Sequence, residues 1–302
     1  MKPTLLRFLS GFVMLASLLD AARGQIVVAN YGSNSVGVYD AATGATINAS
    51  FITGSLTPIG LAQSGSSLFV INANTDAIGA YDAATGAVIN GSFITGLSGA
   101  REVVAGGSNL FVTNTTSNTI GEYTTSGATV NGSLVSGLND PIGLVVSGST
   151  LYVANYNSGT IGEYDATTGA VINASLITGL INPGGLAVSG STLYVANYSG
   201  GSVGKYNATT GAAINASFIT GLGNPRSVVL SGSTLFVSDV GLSTIGEYDA
   251  TTGAVINATL ISGLSNPQGF LLFTAIPEPS TLACVATGLA ALGVAAIRRR
   301  KL

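Results

Sequence analysis

The chain has 302 residues, and its composition excludes several classes of function before any motif is considered. Residues 25–276 carry three basic and eleven acidic side chains, so this segment lacks the basic surface that nucleic-acid binding requires. There is no histidine, and the single cysteine is Cys284. Ser-His-Asp and Cys-His catalysis, zinc sites built from imidazole or thiolate groups, and an intramolecular disulfide are therefore excluded.

The N-terminal segment has the layout of a secretory signal peptide. Lys2 and Arg7 precede an apolar run at residues 8–19, and small residues follow this run. The run is shorter than the roughly 20 residues that a membrane-spanning helix needs. We predict that residues 1–24 are a signal peptide, that cleavage occurs before Gln25, and that the protein is exported.

Internal repetition dominates the segment that follows. Tyrosines recur every 41 or 42 residues, at Tyr39, Tyr81, Tyr123, Tyr164, Tyr206 and Tyr248. A period of this length is typical of β-propeller blades. The units are rich in Val, Ile, Thr and Tyr, with glycine at the turns, which favours strands over the helices of a solenoid.

Each repeat unit is predicted to contain four strands, named A to D in chain order. In the unit at 184–221 they cover residues 185–188, 193–197, 203–206 and 213–220, and Gly211 lies in the turn between strands C and D. The chain enters the repeat at a strand B (26–30) and leaves it at an extra strand A (269–273). We therefore predict an all-β, six-bladed propeller over residues 25–276, with four-stranded blades and with blade one shared between the two ends.

The C-terminal segment, residues 277–302, has three parts in a fixed order. They are the triplet Pro277, Glu278 and Pro279, a charge-free stretch at 281–297, and the basic end formed by Arg298, Arg299, Arg300 and Lys301. As a helix the apolar stretch would be about 26 Å long, enough to span a bilayer. The basic cluster would then hold the extreme C-terminus on the cytoplasmic side.

This order of parts resembles the PEP-CTERM sorting signal. The resemblance implies an exosortase-type processing enzyme as a partner, membrane attachment through the C-terminal helix before any processing, and a bacterium that makes an extracellular matrix. The expected location is the cell envelope, the cell surface or that matrix.

The repeats carry a second resemblance. The phrases at 151–156 (LYVANY) and 160–169 (TIGEYDATTG) resemble the YVTN family of β-propeller repeats and, more loosely, the NHL repeats. Those families are known mainly as binding and cell-surface modules, so the resemblance implies an architecture rather than an activity.

Because strands A and B are antiparallel, strand A begins on the face where strand B ends. The strand-B ends form a ring of polar residues: Asn30, Asn72, Asn114, Asn155, Asn197 and Asp239. One interpretation is a polar ring around a ligand-binding mouth. The other, which the six-fold recurrence favours, is that each side chain caps the backbone of the following turn.

Positions at which one blade differs from the others are more informative about a ligand site than positions that follow the repeat. Two of the three cations of this segment, Arg101 and Arg226, occupy the same position at the start of strand A, in blades that lie opposite each other. We expect Arg226 to lie across from Asp239 and to form an ion pair within its blade, whereas Arg101 lies across from Asn114 and is the freer cation. The candidate ligand-face residues are Arg101, Glu102, Arg226, Asp239 and Gln268.

Two further repeated patterns have structural explanations. Asn-Xaa-Ser/Thr occurs on every strand D, beginning at Asn48, Asn90, Asn131, Asn173, Asn215 and Asn257. It matches an N-glycosylation acceptor, but a repeated strand position explains it better in a chain with a bacterial-type sorting tail. The acids of the Tyr-Asp turns, such as Asp165 and Asp249, are expected to cap their hairpins.

The leading hypothesis for function is a non-enzymatic binding or matrix-structural module that needs no cofactor. Its partners would be an extracellular polysaccharide or another surface protein, and not nucleic acid. The alternative is a metal-dependent hydrolase of the gluconolactonase type, in which Glu102, Asn155 and Asp239 would hold a calcium-like ion. A third possibility is a polysaccharide adhesin, whose stacking surfaces would rest on tyrosine because the chain has no tryptophan.

Overall fold

The computed structural model describes residues 24–54 and 56–273, which form six four-stranded antiparallel sheets. Each sheet is one blade, and its strands follow the order of the chain from the innermost to the outermost. Blade one is the exception, because its innermost strand comes from the C-terminal end of the repeat region. The all-β, six-bladed propeller is therefore confirmed, as is the closure of blade one by both ends.

The strands are numbered in chain order. Blade one contains β24 (Pro267–Phe273), β1 (Gln25–Asn30), β2 (Ser35–Asp40) and β3 (Thr46–Ile52). Blade two contains β4 (Pro58–Ser64), β5 (Ser67–Asn72), β6 (Ala77–Asp82) and β7 (Val88–Ile94). Blade three contains β8 (Ala100–Gly106), β9 (Asn109–Asn114), β10 (Thr119–Thr124) and β11 (Thr129–Val135).

Blade four contains β12 (Pro141–Ser147), β13 (Thr150–Asn155), β14 (Thr160–Asp165) and β15 (Val171–Ile177). Blade five contains β16 (Pro183–Ser189), β17 (Thr192–Asn197), β18 (Ser202–Asn207) and β19 (Ala213–Thr220). Blade six contains β20 (Pro225–Ser231), β21 (Thr234–Asp239), β22 (Thr244–Asp249) and β23 (Val255–Ile261). The strands predicted for blade five agree with β16 to β19 to within two residues at every end.

Two predicted segments lie outside the described residues: the signal peptide at 1–24, apart from Gly24, and the sorting segment at 277–302 with its apolar helix at 281–297. Within residues 24–54 and 56–273, we find no helix that is long and apolar enough to span a membrane.

The repeated tyrosine of each blade packs over a glycine of its own strand, the third strand of the blade. In blade five the Tyr206 ring folds back over Gly204, where a β-carbon would lie only 2.5 Å from a ring carbon. The Tyr206 hydroxyl is hydrogen-bonded to the side chain of Asn197 at the end of β17. All six blades pair a glycine with a tyrosine two residues later in this way. The Gly-Xaa-Tyr motif is therefore a packing motif, since residues two apart share one face of a strand.

The outermost strands share a bulge that explains the Asn-Xaa-Ser/Thr pattern. In β15 the Asn173 Oδ1 atom accepts a hydrogen bond of 3.0 Å from the backbone N–H of Ser175. The pairing register with β14 shifts at this point. The same bond recurs on the five other outermost strands. Recurrence of the motif therefore follows from the bulge, which also interrupts an exposed strand edge.

The Tyr-Asp turns are capped as predicted. The Asp165 carboxylate accepts hydrogen bonds from the backbone N–H groups of Thr167 (3.0 Å) and Thr168 (2.8 Å) and from the Thr168 hydroxyl (2.8 Å). Because these bonds stabilise the ionised form, they hold the pKa of Asp165 below its usual value. Asp82 and Asp249 have the same capping bonds and lowered pKa values.

Apolar side chains fill the spaces between neighbouring blades. Between blades one and six, Ile26 and Val28 of β1 and Phe270 of β24 pack with Phe236 and Ile245. This cluster contains both strands that close the ring. Burial of such side chains is the main source of stability in a propeller of this kind, because no disulfide can form.

We predict that Phe270→Ala weakens the closure of the ring. Phe270 is 4% exposed, so its truncation should lower the free energy of unfolding by about 3–5 kcal/mol, as measured by urea denaturation. The control is Leu242→Ala, since Leu242 is 55% exposed and its truncation should change stability by no more than about 0.5 kcal/mol. Equal effects of the two substitutions would contradict a structural role for β24.

Candidate functional site

The innermost strands present two successive levels of residues at one end of the central channel. The first level contains the second residue of each innermost strand: Ile59, Arg101, Ile142, Gly184, Arg226 and Gln268. The second level contains the third residue of each: Gly60, Glu102, Gly143, Gly185, Ser227 and Gly269. Arg101 lies in blade three and Arg226 in blade six, so the predicted placement of the two cations in opposite blades is confirmed.

Neighbouring innermost strands approach each other closely at the second level. A β-carbon on Gly60 would lie 2.7 Å from the carbonyl oxygen of Arg101, and one on Gly185 would lie 2.6 Å from the Cα atom of Ser227. Real β-carbons do not approach other atoms so closely. Glycine is therefore required at these positions because the backbone of the next blade occupies the space.

Blades three and six carry Glu102 and Ser227 at the second level. In each of these blades a buried hydroxyl group binds the backbone of that residue. The backbone N–H of Glu102 donates to Thr113 Oγ1 (2.9 Å), and that of Ser227 donates to Ser238 Oγ (3.0 Å). Both hydroxyl groups also donate to a carbonyl oxygen of the next blade, Ile142 (3.3 Å) and Gln268 (3.2 Å) respectively. The six-fold repeat is thus reduced to an approximate two-fold arrangement at this end.

Thr113 and Ser238 were not among the residues that the sequence singled out. A signal was present, because the four other blades carry alanine or isoleucine at the same position: Ala29, Ile71, Ala154 and Ala196. Comparison of strand B position by position would have paired the two hydroxyl residues with the blades that contain Arg101 and Arg226.

Arg226 is buried, with 8% of its surface exposed. Its Nε atom donates to Gln268 Oε1 (3.0 Å), and Gln268 Nε2 donates to Asn266 Oδ1 (2.6 Å). A β-carbon on Gly184, the first-level residue of blade five, would lie 3.5 Å from Arg226 Nη1. The missing side chain at Gly184 therefore leaves room for the guanidinium group.

The predicted ion pair between Arg226 and Asp239 is wrong. Asp239 lies across from Pro225, and the register shifts before Ser227, so Arg226 falls in the irregular step. The Asp239 carboxylate instead accepts hydrogen bonds from the backbone N–H groups of Gly223 (2.6 Å) and Asn224 (2.9 Å). Because of this shift, Arg226 does not lie across from Asp239. Its hydrogen-bond partner is Gln268 of blade one.

The interpretation that ring residues cap the following turn is confirmed for Asn72 and Asp239, whose side chains accept a backbone N–H group of that turn (3.2 and 3.0 Å). The Oδ1 atoms of Asn72, Asn114 and Asn155 also accept backbone N–H groups, at 3.1–3.3 Å, from a different segment, the loop that precedes the innermost strand. Within the described part of the chain, the Oδ1 atoms of Asn30 and Asn197 are buried without a hydrogen-bond partner. Most of the ring therefore serves the backbone.

Arg101 is the exposed cation of the pair. Burial lowers the pKa of the Arg226 guanidinium, and the positive charge of nearby Arg101 lowers it further. Tyr156 and Tyr198 lie near Arg226, and their ring centroids are 6.2 Å apart. These two tyrosines follow the polar-ring residues of blades four and five, and sequence reasoning did not select them.

Glu102 lies beneath the two arginines and lines the channel. Burial raises its pKa from 4.5 to about 7, although the positive charge of Arg226 and a hydrogen bond from the Val103 backbone act in the opposite direction. Glu102 therefore interacts with the buried cation of the opposite blade.

The metal set of the alternative hypothesis, Glu102, Asn155 and Asp239, does not form a site with free ligand atoms. The Asn155 Oδ1 atom and the Asp239 carboxylate already accept backbone N–H groups. Within residues 24–54 and 56–273 there is also no group of three or more acidic, histidine or cysteine side chains suited to a metal ion. Among the three proposed ligands, Glu102 is the one that lines the channel.

Comparison with known proteins identifies the tail and the fold. The family model for the PEP-CTERM protein-sorting motif matches residues 275–301, which confirms the predicted motif. Such a motif marks an exported protein of the cell envelope or surface and implies processing by an exosortase-type enzyme. A comparison with curated protein sequences gives no match.

Two solved structures illustrate the similarity of the fold. A chain from the "Crystal structure of Nidogen/Laminin Complex" has a TM-score of 0.72 and 16% identity, over 83% of this chain and 99% of that chain. The computationally designed Ika8 protein has a TM-score of 0.50 and 16% identity, over 81% of this chain and 74% of that chain. At this level of identity the similarity supports the propeller fold and nothing further.

We predict that Glu102 makes stability fall as the pH rises. Its pKa in the folded protein, about 7, lies above its ordinary value of 4.5, so the folded state holds this proton more tightly than the unfolded state does. As the pH rises from 4.5 to 7, the free energy of unfolding therefore decreases by at most about 3 kcal/mol. Urea unfolding at pH 5 and pH 8 should show this loss in the wild type and a smaller loss in Glu102→Gln.

The matched control for this measurement is Glu163→Gln. Glu163 also has a raised pKa, but it lies outside the channel lining. Glu163 and Glu247 contribute equally to the pH dependence of stability in the wild type and in Glu102→Gln. Their contributions therefore cancel when the pH dependences of these two proteins are subtracted. Identical pH dependences of the wild type and Glu102→Gln would show that the Glu102 carboxyl is not held in this environment.

Proposed function

We propose that this protein is an exported, surface-displayed binding module that acts without catalysis and binds an anionic ligand, such as an acidic polysaccharide, at the first level of the channel. Its sorting motif and its propeller fold are compatible with this role. The observation that carries the proposal is the pair of arginines. Arg101 is exposed, while Arg226 lies in the opposite blade and is held in place by Gln268 of the adjacent blade one.

Electrostatics favour an anion at this position. The body of the protein carries eleven acidic and three basic side chains, and two of the basic ones meet at this end of the channel. A carboxylate or sulfate group reaching Arg101 would gain a charge-assisted hydrogen bond. The neighbouring Arg226 would add a longer-range attraction that water screens little, because Arg226 is buried.

Tyr156 and Tyr198 supply a surface that suits a sugar. Both rings are partly exposed, and they lie close to the arginine pair. Aromatic rings with a polar hydroxyl group combine an apolar face with a hydrogen-bonding edge, and this combination is common where ligands bind. The two tyrosines therefore favour an acidic polysaccharide over a small inorganic anion.

We predict that Arg101→Ala weakens the binding of acidic glycans, measured on a glycan array and by titration with purified acidic oligosaccharides. Loss of one charge-assisted hydrogen bond, about 1.5–3 kcal/mol, corresponds to at least a tenfold weaker affinity. Arg101→Lys keeps the charge and should keep part of the affinity. Because Arg101 is exposed, neither substitution should change the melting temperature.

Two results would overturn the proposed function. One is equal binding of acidic glycans by the wild type and by Arg101→Ala. The other is a wild type that binds neutral and acidic glycans equally well, with no decrease as the salt concentration rises, because a site built on arginine must be sensitive to salt.

The basic end of the tail should be required for retention at the envelope. We predict that replacing Arg298, Arg299, Arg300 and Lys301 with glutamine releases or mislocalises the protein, since these residues would keep the C-terminus on the cytoplasmic side. Cell fractionation with an antibody against the propeller measures the effect. Unchanged fractionation would contradict the anchoring role, and a variant with four glutamines replacing exposed threonines of the propeller is the control.

A further inference from the structure

The channel below Arg226 contains a cavity of about 450 Å³, whose walls are nearly as polar as they are apolar. Residues from all six innermost strands line it, among them Leu61, Leu144, Leu186, Val228 and Phe270. Volumes of 300–1,000 Å³ are typical of small-molecule sites, and such sites are mainly apolar with a few polar groups. The size and the mixed lining of this cavity therefore suit a small molecule that has both an apolar and a polar part.

The cavity is accessible from the end opposite the arginine pair. Near the final turns of the innermost strands, the lining residues Gln63, Ala105, Val188 and Leu272 are partly exposed. At the other end the lining stops at the second level, with Glu102 and Ser227, and no described first-level residue contributes to it. Arg226 therefore lies beyond the inner end of the cavity.

Glu102 is the single ionisable side chain among the described residues that line the cavity. Its carboxyl group stands at the inner end, at the level where glycine brings neighbouring strands together. The charged group that acts on it is Arg226, and Arg226 is itself bonded to Gln268. Ser227 supplies the other polar side chain at this level, opposite Glu102.

We propose that this cavity binds an amphiphile whose apolar body fills the channel and whose cationic head group pairs with the Glu102 carboxylate. The apolar wall would remove the body of the ligand from water. The head group would replace the water that an ionised carboxylate otherwise needs. An anionic head group fits less well, because Glu102 is the charged residue in the described lining of the cavity, and neither Arg101 nor Arg226 belongs to that lining.

This inference goes beyond the proposed function. The acidic-glycan site is exposed at Arg101, on the first level, whereas the amphiphile enters from the opposite end and reaches the second level. The two sites share no exposed residue, so each can fail while the other is retained. Binding of acidic glycans and binding of an alkylamine are therefore separate measurements.

The test uses n-octylamine as the probe, below its aggregation concentration, with isothermal titration calorimetry on the full chain at pH 8. We expect saturable binding of one molecule per chain. Shortening the probe should weaken binding roughly fourfold per methylene group, as expected for transfer of an apolar chain out of water. Affinity should fall at least tenfold between pH 8 and pH 5.5, because Glu102 takes up a proton over this range while the alkylammonium group stays charged.

Two substitutions test the location of the probe. Glu102→Gln should weaken octylamine binding at least tenfold and remove its dependence on pH. Ala105→Phe should block the accessible end of the cavity and abolish binding, while cooperative thermal unfolding shows that the variant is folded. Glu163→Gln, which removes a carboxylate outside the cavity lining, is the matched control and should bind like the wild type.

Comparison probes decide the class of the head group. Weaker binding of n-octanol and of octanoate than of octylamine supports the cationic assignment. Preference for octanoate over octylamine would overturn it, and so would equal affinity of the wild type and Glu102→Gln for octylamine. Absence of saturable octylamine binding to the wild type up to millimolar concentration, or unchanged binding to Ala105→Phe, would overturn the site itself.

Discussion

Close approach of the innermost strands is the constraint on which the rest of this propeller depends. At the second level the backbone of each blade lies against that of the next, so that a β-carbon on Gly60 or Gly185 would collide with its neighbour. Six blades can share one channel only if this contact is made all the way round, and β24 supplies the last contact by joining blade one. Ring closure and the spacing of the channel are therefore consequences of the same packing.

The functional features arise where this constraint is relaxed. Glu102 and Ser227 occupy the second level in opposite blades, and the backbone N–H group of each donates to a buried hydroxyl group, that of Thr113 or Ser238. A carboxyl group thereby enters an apolar channel, and a buried guanidinium group stands nearby to offset part of its cost. The polar site and the loss of six-fold symmetry therefore have the same origin, the presence of Glu102 and Ser227 at the second level.

The remaining repeated polar residues stabilise turns and strand ends. Asparagines at the ends of the second strands cap loops, aspartates cap hairpins, and asparagines on the outermost strands form bulges. Each of these side chains uses its oxygen on backbone N–H groups, as expected for short polar residues in turns. What distinguishes Arg101, Glu102 and Arg226 is that most blades carry an uncharged residue at the same position, and that these three side chains do not cap a turn.

The number of blades, the order of the strands and the sharing of blade one could all be predicted from the sequence, because a 42-residue repeat with alternating β-branched residues has few other solutions. The sequence also placed Arg101 and Arg226 in opposite blades. Only the tertiary structure decided their partners. The register shift in β20 moved Arg226 away from Asp239, and Gln268 reached it from blade one. Contacts of this kind join residues of different blades, and a repeat pattern within one blade holds no information about the residues that face it across a channel.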